Sequence, residues 1–468
     1  MITFIICFAA LVVAYFTYGR FMEKLFGVDV NMKMPSDTSF DGVDYIPLPK
    51  WKTFLIQLLN IAGLGPIFGA VLGATYGPVA FLWITMGGIF IGGVHDFASG
   101  YISIKMNGAS FTEIVNKYLG RGTRYVNLVF MVILMMLVGA VFMVGPAVLL
   151  DSLLDIGVPV WVWIILLYYL AATLLPIDKI IGRIYPIFGF VLAFMALGLL
   201  YVILTGDYVV PELSFVNMKI DADSFPLIPT LCITIACGAV SGFHATQSPL
   251  MARCLTNAKQ IRPVFYGAMI AESLIALIWA AIAMAFFGGV AELNATLAAN
   301  SQSAAYIVDL VCHTTMGKIG AVLALLGVVV APITSGDTAL RGARLMVADF
   351  FHIDQRNLLK RVWIALPLFI VAYFITQIDF DVLWRYFAWL NQTLAVATLW
   401  VGTLYLAENK RQYIFTMLPA TFMTYIITSY LFVSNQFLGL EYVLGSAMGG
   451  VLTLGVVAYF IRKIKKMA

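Results

Sequence analysis

NIAGLGPIFGAVLG, residues 60–73, and ACGAVSGFHATQSP, residues 236–249, each interrupt a long apolar run with glycine, proline and polar side chains. The breakers are Gly63, Gly65, Pro66 and Gly69 in the first stretch. In the second they are Gly238, Ser241, Gly242, His244, Thr246, Gln247, Ser248 and Pro249. A helix broken at membrane depth exposes N–H and C=O groups that hydrocarbon cannot satisfy, so the break must line a cavity or be covered by protein. Broken helices at matching places in two halves of a chain point to a transporter's substrate site.

The rest of the chain puts both breaks in a bilayer. Of its 468 residues 62% are hydrophobic and 11% charged, whereas a soluble domain carries about 25% charged residues; mean hydropathy is +0.95. About 13 apolar spans follow one another, at 2–19, 51–75, 79–104, 124–150, 159–176, 184–204, 226–251, 264–288, 317–340, 361–377, 383–406, 412–432 and 440–461. Many are near the roughly 20 residues that cross a bilayer. The expected class is an all-α integral membrane protein. The net charge of +4 is modest and sits in loops, which suits membrane orientation and argues against a nucleic-acid partner. Cys7, Cys232, Cys237, Cys254 and Cys312 lack metal or disulfide spacing and read as helix-packing residues. GxSxG, P-loop, HExxH and CxxC motifs are absent, so neither an enzyme nor a cofactor is expected. The run 2–19 has no basic start or small-residue cleavage site and reads as a retained helix.

Alternate loops carry all the lysines and arginines except Lys219, Lys318 and Arg385. Positive charge stays inside, so the N-terminus is expected outside and the C-terminus in the cytoplasm. Counting the first broken span, five spans precede the second broken span in the repeat, an odd number, so the second unit enters from the opposite side. The expected division is residues 1–50 as an added helix and cytoplasmic loop, 51–204 as one unit, 205–225 as an acidic outer linker, 226–406 as the inverted second unit, and 407–468 as two further helices. This is the inverted five-plus-five core, with the first helix of each unit broken, of LeuT-type transporters. Residues 108–120 read as an interfacial helix with Ser110 and Glu113 as its capping pair.

Unwound turns offer N–H groups to a carboxylate and carbonyls to a cation or ammonium. The substrate candidates are therefore Asn60, Gly63, Gly65 and Pro66 at the first break and Gly238, Ser241, Gly242, His244, Thr246, Gln247 and Ser248 at the second. Asn391 and Gln392 either complete a polar wall or hydrogen-bond neighbouring helices. The alternative for the breaks is a packing kink between close helices. His244 is a natural proton carrier at membrane depth, or else a neutral group satisfying broken backbone. Glu272 is a carboxyl among apolar neighbours, able to be neutral in one state and paired in another. Asp96, beside His95, is a further coupling candidate, or an anchor for Lys105 or Arg121. Asp337 either carries a proton or pairs with Arg341 one turn on. The hydroxyls of Thr334, Ser335 and Thr338 suit a sodium ion as hard oxygen ligands.

Several of these stretches, in order, resemble the carbon starvation protein A (CstA) family: DGVDYIP (41–47), IAGLGPIFGAVLGATYG (61–77), GGVHDFASGYIS (92–103), SGFHATQSP (241–249), YGAMIAES (266–273), SGDTALRGARLMVADF (335–350) and the pair Asn391–Gln392. The resemblance spans most of 41–405 and fades after 407. It departs before the first break, where family histidines give way to LLNIAG with Asn60, and at His95, where Gln is common. The resemblance implies uptake of small peptides or pyruvate across the bacterial cytoplasmic membrane by secondary active transport, driven by protons. Sodium-coupled pyruvate or amino-acid uptake is the alternative, and a membrane nutrient receptor a third reading.

Overall fold

A computed structural model describes residues 1–42, 45–120, 122, 124–174, 177–351, 353 and 357–467. Arg121, Arg356, part of the 41–47 stretch and the end of the 159–176 span lie outside the described residues. The described chain is helical, and no strand occurs among the described residues. In chain order the helices are α1 (Ile2–Phe26), α2 (Lys50–Ile61), α3 (Gly65–Ala74), α4 (Val79–Lys105), α5 (Phe111–Leu119), α6 (Arg124–Leu154), α7 (Val158–Leu174) and α8 (Ile177–Thr205). After the second break come α9 (His244–Ala252), α10 (Ala258–Phe286), α11 (Val290–Ala299), α12 (Ala304–Thr315), α13 (Gly317–Phe350), α14 (Leu358–Ile375), α15 (Phe380–Glu408), α16 (Ile414–Val433) and α17 (Tyr442–Met467).

Among the described residues nine helices are long and apolar enough to cross a membrane, or ten when α2 and α3, bent by 58°, count as one broken span. That is fewer than the expected 13, for three reasons. Helix α7 is apolar, and its described part is 17 residues long. Helix α15 has 29 residues but is diluted by polar ones, Asn391 and Gln392 among them. The span at 226–251 is split by a nonhelical stretch at 235–243, which leaves the helical turn Cys232–Thr234 and the nine-residue α9.

Helices α4 and α10 lie mostly inside the protein, and α14 and α17 mostly at its surface. Their outward side chains are apolar, as in Trp363, Phe374, Val451 and Leu454. Such a surface is what hydrocarbon tolerates and water does not. Each central helix contains a widened π-turn, Gly88–Gly92 in α4 and Arg262–Gly267 in α10, just before its ionisable residues. Such turns rotate the helix that follows and recur at functional sites.

The loops fall into two groups. On one face Lys463 Nζ donates to the Tyr118 carbonyl (2.5 Å), Tyr118 Oη donates to Glu408 (3.0 Å), and Arg253 Nε donates to the Gly108 carbonyl (2.9 Å). Helix α5 on this face has the expected Ser110–Glu113 capping box. On the other face Asn294 Nδ2 donates to the carbonyls of Thr75 (2.9 Å) and Met218 (3.1 Å). Glu212 accepts there from the amides of Ile2 and Thr3, both at 2.9 Å, and so caps α1. Hydrogen bonds from the terminal ammonium, and then from Thr3 and Ile2, hold the Glu212 carboxyl down at about 2. A depressed carboxyl contributes stability above its unfolded pKa and loses it as pH falls through the folded value. The cap is therefore expected to hold from neutral pH to about pH 4 and to fail toward pH 2. Glu212→Ala should abolish amide-exchange protection at Ile2 and Thr3 at every pH and leave the centre of the molecule unchanged.

Candidate functional site

The two breaks touch. A Cβ placed on Gly65 would stand 2.1 Å from Cys237 Cβ, and one on Gly69 would stand 3.1 Å from the Thr234 carbonyl. Only glycine permits so close an approach of the two broken spans. Helix α2 ends at Ile61 and α3 resumes at Gly65, with Pro66 in its first turn, where its missing N–H costs nothing. At the second break the helix resumes at His244, earlier than the sequence suggested, so Thr246, Gln247 and Ser248 are helical rather than unwound.

The backbone of the second break is satisfied from outside. Asn391 Oδ1 accepts from Phe243 N (2.7 Å), the Asn391 carbonyl accepts from Gly242 N (3.1 Å), and Asn391 Nδ2 donates to Ser241 Oγ (2.9 Å). Gln392 Nε2 donates to the Cys232 carbonyl (3.2 Å), and Trp83 Nε1 to that of Ile235 (3.0 Å). A buried N–H without a partner costs about 1–3 kcal/mol. Asn391→Leu strands at least one such group, so it is expected to cost at least about that much, read as a lowered Tm of the detergent-solubilised protein.

Beside this capped break lies a continuous chain of ionisable groups. His95 Nδ1 is 2.7 Å from Asp96 Oδ1, and His244 Nδ1 is 2.9 Å from Asp96 Oδ2. His244 Nε2 is 3.4 Å from Glu272 Oε2. All four side chains are fully buried. An ionised carboxylate only accepts, so each imidazole turns an Nδ1–H toward Asp96. The lone pair of a neutral His244 then falls on Nε2, facing Glu272. The Nε2 atoms of both histidines and both Glu272 oxygens have no hydrogen-bond partner. The arrangement can therefore hold one proton at Glu272, or pass it to His244 with Asp96 stabilising the imidazolium. Cys237 Sγ lies within 4.8 Å of the ligand atoms of His244 and Glu272; it adds a soft atom to the same cluster.

The other candidates are distributed around this centre. Asn60 is buried next to the first break with both side-chain polar atoms unpartnered. Gly63 packs on Phe142, and Gly238 on Ala276. Gln247 donates to Thr246 (2.9 Å), which in turn donates to the Phe243 carbonyl (2.7 Å). Ser248 Oγ accepts from Gln57 (3.3 Å). Asp337 belongs to another contact set: its Oδ2 accepts from Tyr185 Oη (3.0 Å). Ser335 Oγ donates to the Leu59 carbonyl (2.9 Å), at the end of α2. The hydroxyls of Thr334 and Thr338 bond within α13. The suggested Asp96–Lys105 anchor is not formed: Asp96 is buried against the histidines, and Lys105 is exposed two turns away. Sequence reasoning missed Gln57, although it lies one turn before Asn60 on the same face. Cys237 and Tyr185 carried no local signal.

The chain matches the family described as "Carbon starvation protein CstA" over residues 1–150 and 145–318. A Haemophilus influenzae protein described as an uncharacterized membrane protein is 41% identical over 339 residues, which cover 61% of this chain and 91% of that one. The peptide transporter CstA of Bacillus subtilis is 25% identical, covering 95% of this chain and 92% of its own length. The pyruvate/proton symporter BtsT of Escherichia coli is 27% identical over 57% of this chain, a match that spans 46% of BtsT. Among solved structures, an Eremococcus coleocola manganese transporter in complex with an aromatic bis-isothiourea substituted compound superposes with a TM-score of 0.56 at 11% identity. The superposition covers 92% of this chain and 99% of the other, a likeness of fold alone. With more than half of its length matched, the chain belongs to the carbon starvation protein CstA family of multi-pass membrane transporters.

Proposed function

We propose that this protein is a secondary active transporter that imports small peptides or pyruvate together with protons, by alternating access across the bacterial cytoplasmic membrane. The observation that carries the reading is the buried chain His95–Asp96–His244–Glu272 set against two touching helix breaks. In this reading the substrate sits between the breaks, contacted by the backbone at 62–69 and 238–248, and the proton sits on Glu272 or His244. Asp96 keeps the imidazole oriented. An ionisable group this deep in a membrane is costly and is retained for function. The names of the Bacillus subtilis and Escherichia coli relatives, peptide transporter and pyruvate/proton symporter, support the same cargo and ion.

The moving core in this reading is the five-plus-five inverted repeat of residues 51–204 and 226–406. The N-terminus is outside, the C-terminus is cytoplasmic, and the helices at 1–50 and 407–468 are additions. Asp337, bonded to Tyr185, is a secondary proton candidate. One contact favours a sodium-coupled alternative: Ser335 reaches the Leu59 carbonyl beside the first break, where Thr334 and Thr338 supply further oxygens. Proteoliposomes loaded at controlled pH separate the two. Labelled alanylalanine, trialanine or pyruvate should accumulate under an inward pH gradient without sodium. Accumulation under a sodium gradient alone moves coupling to Thr334, Ser335 and Thr338, and ligand binding without accumulation under either gradient supports the receptor reading.

A further inference from the structure

On the face that carries few basic residues, a cavity of about 290 Å³ opens between the outer parts of the two broken spans. Its wall includes Lys219 and Arg385, two of the three basic residues assigned to this face, and, as the only acid among the described residues lining it, Asp221. Lys219 Nζ donates to Thr75 Oγ1 (3.1 Å) and stands 5.2 Å from the ring centre of Tyr76 and 5.5 Å from that of Phe225. Its ammonium is therefore held in place on an aromatic floor. Arg385 is held by Gln436, whose amide oxygen, in the orientation that satisfies both neighbours, accepts from it at 2.6 and 3.2 Å. Trp384, next to Arg385, also lines the cavity, and its ring lies 3.5 Å from where a Cβ on Gly69 would stand. The cavity thus abuts the first break, and Thr234, which also lines it, precedes the second.

We propose that this vestibule is a docking subsite for short peptides with a free C-terminal carboxylate, loaded before the substrate passes to the breaks. The inference rests on the transport reading and adds where, and by which groups, the substrate is first held. Two fixed cations suit a carboxylate through charge-assisted hydrogen bonds. Asp221 suits the ammonium at the other end of a zwitterion, and the aromatic walls take an apolar side chain. Charge favours a peptide over a 2-oxo acid, which carries a carboxylate for Lys219 and Arg385 but no ammonium for Asp221.

The test is equilibrium binding of labelled alanylalanine, alanylalanine amide and pyruvate to the purified full-length protein in detergent, with uptake into proteoliposomes run in parallel. Wild type is expected to bind alanylalanine at least about tenfold more tightly than the amide or pyruvate. Lys219→Gln and Arg385→Gln should each raise the Kd for alanylalanine about tenfold, at low salt above all, and should lower alanylalanine uptake at substrate concentrations below the wild-type Kd by a similar factor. Lys219→Arg, which keeps the charge, should bind like wild type and so separates loss of charge from loss of fold. Equal affinities for peptide and amide, unchanged Kd values in both Gln variants, or tighter binding of pyruvate would each overturn the proposal. Carboxylate-dependent binding without accumulation would leave the subsite standing and remove the transport reading. Accumulation that is indifferent to Lys219 and Arg385 would do the reverse.

Discussion

Glu272→Gln is expected to lower pH-gradient-driven accumulation of substrate roughly a hundredfold or more, the scale on which loss of one proton-transferring group acts, while the protein stays folded. The two side chains have nearly the same shape, and the amide cannot release a proton. Glu272 is fully buried and neither of its oxygens has a hydrogen-bond partner, so no hydrogen bond is broken by the exchange. Substrate exchange between two equilibrated compartments, which needs no net proton movement, should survive. His244→Ala should abolish accumulation as well but at a structural cost, because it removes a partner from Asp96 at 2.9 Å. Breaking a buried charged contact costs about 3–5 kcal/mol. The two variants therefore separate by Tm: Glu272→Gln near wild type, His244→Ala well below it. Lys463→Ala, which loses only a bond to the Tyr118 carbonyl at the protein surface, should transport nearly normally. Normal accumulation in both Glu272→Gln and His244→Ala would remove these residues from the coupling path.

Gly242→Ala carries the second large effect. The added Cβ would stand 2.3 Å from the Asn391 carbonyl oxygen and 2.4 Å from the Ala395 amide nitrogen. Both are backbone atoms of α15, which cannot turn aside as a side chain can. Overpacking of this kind costs about 1–3 kcal/mol and occasionally more. The separation it forces also weakens the two bonds by which Asn391 caps the break, Gly242 N at 3.1 Å and Phe243 N at 2.7 Å. Tm should fall by an amount readable in a thermal unfolding assay, and uptake should be lost even in the fraction that inserts. Gly450→Ala, where nothing lies within 4 Å of the added carbon, is the matched control and should leave both unchanged. A Gly242→Ala protein with wild-type Tm and uptake would mean that the break and α15 are not held together as described.

Much of the frame was legible because bilayers impose simple rules on sequence. Apolar runs gave the positions of the helices, and Gly63, Gly238 and Gly242 marked the unwound turns because hydrocarbon forbids an unsatisfied backbone elsewhere. The details that failed share one cause: periodicity identifies a helix but not which residue on another helix it will meet. Asp96 lies 148 positions from His244 in sequence, so beside a coupling role the sequence offered it Lys105 or Arg121 as partners and not His244. Asn391 had two open roles, and only the folded chain shows it bonding to the backbone of the second break. Helix α9 begins at His244 rather than after Pro249 because those N–H groups find partners without further unwinding. The count of spans fell short where polar groups inside the bundle dilute the hydropathy of α15, since side chains facing protein need not be apolar.

The central claim is that substrate and proton move together through the buried acid–base chain. It is tested most directly by proteoliposomes that enclose a pH-sensitive dye, start at equal pH on both sides in sodium-free buffer, and receive an inward gradient of alanylalanine or pyruvate. The account predicts acidification of the interior that follows substrate influx in wild type and is lost in Glu272→Gln. Substrate influx with no acidification, or with acidification undiminished in Glu272→Gln, would contradict it.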